Sequence, residues 1–167
     1  MRCNIGQVAV DGKSEAKVLI QNEFCNDFSA VSPDGHWMAY HSNLSGRYEV
    51  YVERYPEMSS RQQISIGGRW RPVWARDGSE LFFATPDNRQ LLSVSVRSRE
   101  TLTAGRPQVL FDLTTLPPGG GTRPYDVGPD GRFFVIRGGN VANTESPSNL
   151  VLVQNWDQEL KRLVPTR

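Results

Sequence analysis

The residues of this chain whose types could do chemistry are two histidines, two cysteines and three aspartates that recur in register. Hydrolysis would need a nucleophile on a sharp turn, supported by a histidine and an acid, and no Gly-X-Ser-X-Gly occurs. His36 and His41 flank a strand-like run at odd spacing, which sends them to opposite faces, one to solvent and one among aromatics. Neither is placed in a catalytic or metal-binding role. Cys3 and Cys25 have no further Cys or His at short ligand spacing and make no metal motif. They read as two separate thiols, with a disulfide as the alternative. Asp34, Asp77 and Asp130 each precede a glycine, where aspartate bonds its own backbone in a turn. Gly119-Gly120-Gly121 lacks the lysine and the following helix of a phosphate-cradling loop and reads as a connection. No catalytic residue, metal or cofactor is expected.

The three Asp-Gly pairs also announce the elements. They lie 43 and 53 residues apart, and each is followed by an apolar run: Trp37-Met38-Ala39-Tyr40, Leu81-Phe82-Phe83-Ala84 and Phe133-Phe134-Val135-Ile136. An Asp-Gly turn between β-rich runs is a hairpin signal, and a period of 40 to 50 with strand-like content belongs to propeller blades. Third and fourth strands are expected at residues 49–53 and 62–66 in the first unit, and at 91–96 and 108–111 in the second. Residues 1–24 supply a hairpin turning at Asp11-Gly12, the last two strands of a unit. The last unit has a polar stretch at 138–149, a strand at 150–153 and a short helix at 156–163, capped by Asn155. The fold expected is all-β, a partial β-propeller of about three and a half four-stranded antiparallel blades with a short C-terminal helix. Its divisions are 1–24 (half blade), 25–68 and 69–121 (blades), 122–155 (incomplete blade) and 156–163 (terminal helix). The aromatics Trp37, Trp74, Phe82, Phe83, Phe133 and Phe134 are assigned to the core between blades.

Composition agrees with this reading. The chain of 167 residues holds 15 Gly and 11 Pro, which favours many short strands. Lys and Arg number 19 against 18 Asp and Glu, so the basic excess of a protein that tracks a phosphate backbone is absent and nucleic acid is not an expected partner. Most of the cations are arginine, suited to planar and stacked contacts. No apolar run reaches the length of a membrane span, and no apolar signal core follows Met1. The chain as given reads as soluble, and as periplasmic or extracytoplasmic if it belongs to a longer parent.

The phrases Phe28-Ser29-Ala30-Val31-Ser32-Pro33-Asp34-Gly35 and Pro72-Val73-Trp74-Ala75-Arg76-Asp77-Gly78 resemble the TolB-type, WD-like propeller repeat of bacterial proteins. The terminal Leu152-Val153-Gln154-Asn155-Trp156 and Glu159-Leu160-Lys161-Arg162 are similar to the end of propellers fused behind bacterial serine/threonine protein kinases. The resemblance implies a non-catalytic scaffold or sensor that binds protein or peptide, or an accessory segment of a kinase or serine peptidase whose catalytic domain is absent here.

Such propellers dock partners on the rim where one blade's last strand crosses to the next blade's first. Eight and seven residues before the turn aspartates, that rim collects Asn26, Asp27, Arg69, Trp70 and Arg123, joined by the neighbouring Arg71 and Tyr125. Arginine and aromatic residues are the types enriched at binding hot spots. The competing assignment has Trp70 covering the gap between blades and Arg71 paired with a carboxylate. Open blade edges leave strand hydrogen bonds unpaired, so the isolated chain is expected to self-associate. Light scattering across a concentration series should show mass rising with concentration; a constant monomer mass would refute it.

Overall fold

The computed structural model describes residues 2–11, 13–98, 101–113 and 123–136. The connection at 119–121, the strand at 150–153 and the helix at 156–163 lie outside them. Among the described residues every regular element is a strand, and every strand pairing is antiparallel.

Strands β1 (Ile5–Gln7) and β2 (Lys17–Ile20) form a hairpin. The first full blade is a four-stranded sheet in the order β3 (Asn26–Val31), β4 (Trp37–Ser42), β5 (Glu49–Arg54), β6 (Ser59–Gln63). The second contains β7 (Trp70–Trp74), β8 (Glu80–Ala84) and β9 (Gln90–Ser98). Its outer position is filled by β11 (Gln108–Asp112), while β10 (Leu102–Ala104) pairs the far end of β9. β12 (Tyr125–Val127) and β13 (Phe133–Val135) open the third unit. Two boundaries differ from expectation. β6 covers Ser59–Gln63, so residues 64–66, expected in the strand, fall in the crossover, and β9 runs past the start of β8, so that its surplus residues recruit β10 as an extra strand.

The Asp-Gly turns form as their chemistry requires. Gly35, Gly78 and Gly131 have φ of 75°, 74° and 77°, a conformation glycine enters without a Cβ clash. Each glycine N–H closes the turn onto a carbonyl three residues back, on Ser32, Ala75 and Gly128. Asp34, Asp77 and Asp130 accept backbone N–H bonds from His36, Ser79 and Arg132, at 3.1, 3.0 and 3.1 Å. These bonds hold the carboxyls of Asp77 and Asp130 below the usual range.

The middle strands β4, β5 and β8 of the two full blades are buried on both faces, and the outer strands β6 and β11 are exposed. Along β4 all six residues are buried, which is why its sequence reads as a continuous apolar run. Trp37 and Ala39 face the second blade's Trp74, Leu81, Phe83 and Val94. Met38 and Tyr40 face the hairpin's Ile5 and Ile20. On the far side of the second blade, Val73, Phe82 and Leu91 pack against Tyr125 and Val127. Phe134 departs from the core assignment. It is 62% exposed, because along β13 the pleat turns Phe133 onto Phe82 and Phe111 and sends Phe134 the other way.

Cys3 and Cys25 form a disulfide, correcting the reading as separate thiols. Backbone bonds from Cys3 N–H to Phe24 O and from Asn26 N–H to Cys3 O bring the two Cα atoms to 4.2 Å. That proximity comes from folding and is invisible in the spacing.

Two substitutions test this packing by urea unfolding. Phe83→Ala, which empties a fully buried ring position between blades, should cost about 3–5 kcal/mol. Gly35→Ala meets no neighbour within 4 Å, so its cost should be the left-handed backbone penalty alone, about 1 kcal/mol.

Candidate functional site

The rim is built on a local irregularity that the two full blades share. In β3 the pairing with β4 slips between Asp27 and Ala30, and in β7 the pairing with β8 slips between Trp70 and Val73. Phe28 and Arg71, each six residues before its turn aspartate, take the strained positive φ (50° and 62°) that the bulges demand. The corresponding residue of the third unit is Pro124, whose ring holds φ negative. The bulges re-aim Phe28 and Arg71 into the gap between blades.

Asp27 and His41 are register partners on β3 and β4, so their side chains meet across the sheet. His41 Nε2 contacts Asp27 Oδ1, and His41 Nδ1 accepts the Arg71 backbone N–H at 3.2 Å. Nδ1 is thus an acceptor and Nε2 carries the proton. Burial, and then the nearby Arg71 charge, push the His41 pKa down to about 4, so the imidazole is neutral at neutral pH. Burial raises the Asp27 carboxyl, against the pull of Arg71. Around His41 lie Phe28, Tyr48 and Trp70, with ring centroids at 5.1, 4.8 and 6.1 Å. The Arg71 guanidinium stacks 5.4 Å from the rings of both Phe28 and Trp70. Its Nη1 donates to Asn88 Oδ1 at 2.7 Å, and the buried Tyr125 hydroxyl donates to the Arg71 carbonyl.

The crossover leading to Trp70 is clamped by a buried carboxylate. Glu49 Oε2 accepts the Ser65 hydroxyl at 2.6 Å and Oε1 accepts the Gly68 N–H at 2.7 Å. The Arg69 N–H donates to Tyr48 O at 2.9 Å, and Arg69 Nη1 reaches the carbonyls of Gly67 and Gly68. Gly68 has φ 82°, and a Cβ there would come within 3.1 Å of Pro86 Cγ.

The rim residues named from sequence therefore fall into two layers. Asn26, Arg71 and Tyr125 are buried. Asn26 spends its amide on Cys3 O, Asn22 Oδ1 and Phe24 O, so it holds the loop and has no donor left for a partner. Asp27, Arg69, Trp70 and Arg123 remain partly exposed above them. Trp70 lies edge-on to Tyr48 and bridges the two blades. Two open depressions share this rim, one of about 400 Å³ beside Arg123, Asp126 and Phe134 and one of about 580 Å³ at Pro86, Arg89 and Asp112. Sequence reasoning passed over Phe28, Tyr48, Glu49 and Asn88. Glu49 carried the one available signal, an acid directly before the apolar run Val50-Tyr51-Val52.

Four-stranded antiparallel blades stacked face to face, with bulged inner strands and a crossover rim, define a partial β-propeller. Among solved structures the chain is similar to a TolB-type protein from Agrobacterium tumefaciens, at 25% sequence identity and a TM-score of 0.58. The match covers 78% of this chain and 48% of that one, so this chain spans about half the length of that protein. No protein-family model matches the chain, and no curated protein does.

Glu49→Ala should leave the Gly68 N–H and the Ser65 hydroxyl unpaired, at about 1–3 kcal/mol in stability. Amide exchange at Gly68 and Arg69 should accelerate beyond what global destabilisation explains.

Proposed function

We propose that this chain is a non-catalytic propeller module that binds a protein or peptide on the rim carrying Asp27, Arg69, Trp70 and Arg123. The observation that supports this most is the division of the rim into two layers. Buried hydrogen bonds tie His41, Arg71, Asn88 and Tyr125 together and fix the backbone. On the same rim Trp70, Arg69 and Arg123 stay partly exposed, with Arg123 lining an open depression. A rigid base beneath aromatic and arginine anchors reduces the ordering cost of binding. A narrower version, in which the module regulates a kinase domain, draws its support from the resemblance of residues 152–162 alone.

Panning a displayed random-peptide library against the chain tests the rim. Selected peptides should bind the Arg69→Ala, Arg123→Ala double variant at least about tenfold more weakly, since a hot-spot arginine contributes on the order of 1–2 kcal/mol. The melting temperature should change little. Undiminished binding to the variant would count against this rim.

A further inference from the structure

Beyond the rim's partner, a second site lies at its N-terminal edge. Cys3 Sγ, Cys25 Sγ and an Asp27 carboxylate oxygen all lie within 4.8 Å of one another. We propose that reduction of the Cys3–Cys25 disulfide converts this cluster into a zinc(II) site, with two thiolates and the Asp27 carboxylate as ligands and a fourth position open to water.

The chemistry balances in two steps. A dithiol reductant delivers two electrons and two protons to the cystine, breaking the S–S bond, leaving two thiols and itself becoming a disulfide. Zinc then displaces one proton from each thiol to solvent and binds two thiolates and one carboxylate. Tetrahedral zinc with sulfur at about 2.3 Å sets its donors about 3.8 Å apart. The Cys3, Cys25 and Asp27 donor atoms, all within 4.8 Å of one another, lie in that range once the sulfurs part. Two thiolates select a soft or borderline cation over calcium or magnesium.

The donors stay together without the disulfide. Cys3 N–H bonds Phe24 O, Asn26 N–H bonds Cys3 O, and the Asn26 amide also donates to Cys3 O at 3.1 Å. The Cys25 N–H is held by Asn43 Oδ1 at 2.8 Å. These bonds keep both backbones in place when the sulfurs separate. Asp27 is oriented from behind by His41 Nε2, the arrangement in which an outer partner positions a metal-binding group. Cys3 is partly exposed, which gives a reductant access.

Cobalt(II) is the probe, because its thiolate complexes absorb and those of zinc do not. The full chain is reduced with a phosphine, desalted without oxygen and checked for two free thiols and for an unchanged far-ultraviolet circular dichroism spectrum. Cobalt should then produce a thiolate-to-metal charge-transfer band that saturates at one equivalent and is abolished by added zinc. The oxidised chain and Cys3→Ser should lack the band, and Asp27→Asn should weaken cobalt binding by about tenfold or more. A folded chain with two free thiols and no band would overturn the proposal. So would a band that survives Cys3→Ser, or a disulfide that resists reduction while the chain remains folded.

Discussion

The hydrogen bond from the Arg71 backbone N–H to His41 Nδ1 is the contact on which the rim depends. A bulge leaves an N–H without a ladder partner, and a buried N–H without a partner is costly. Here the acceptor is a side chain of the preceding blade, so the bulge of one blade is completed by its neighbour. Burial keeps His41 neutral, and the same bond leaves the imidazole proton on Nε2, which turns it toward Asp27. The strained φ of Arg71 is tolerated because three blade elements hold it: His41 from β4, Asn88 from the β8–β9 turn and Tyr125 from β12.

Other contacts between blades follow the same logic. The Trp74 indole N–H reaches back to Ala30 O at 3.0 Å, and Arg76 Nε reaches forward to Val127 O at 3.2 Å. Trp74 and Arg76 thus lie against the adjacent blade and use their side-chain N–H groups to bond its backbone. The registry between blades is specified by hydrogen bonds as well as by packing.

Much of this was legible from residue order. The Asp-Gly pairs marked the turns correctly because their geometry is local: a carboxylate bonding two residues ahead and a glycine at positive φ need no distant partner. The strand runs were legible for a related reason. A sheet buried on both faces shows continuous apolar sequence, as in Trp37-Met38-Ala39-Tyr40, whatever lies on either side. The count of residues back from each aspartate also led to the crossover rim, although it did not separate the buried Asn26, Arg71 and Tyr125 from the partly exposed Arg69, Trp70 and Arg123.

Sequence by itself determined the repeat, the turns and the strand order within a blade, because each is set by neighbours a few residues apart. Tertiary structure decided which polar groups are consumed and which face outward. The Asp27–His41 pair depends on the β3–β4 register, the Arg71–Asn88 and Tyr125–Arg71 bonds on the stacking of blades, and the Cys3–Cys25 bond on a backbone bridge across 22 residues. Residue types at these positions are compatible with several fates. Only the folded geometry, which brings distant groups within bonding range and excludes water from some of them, selects one.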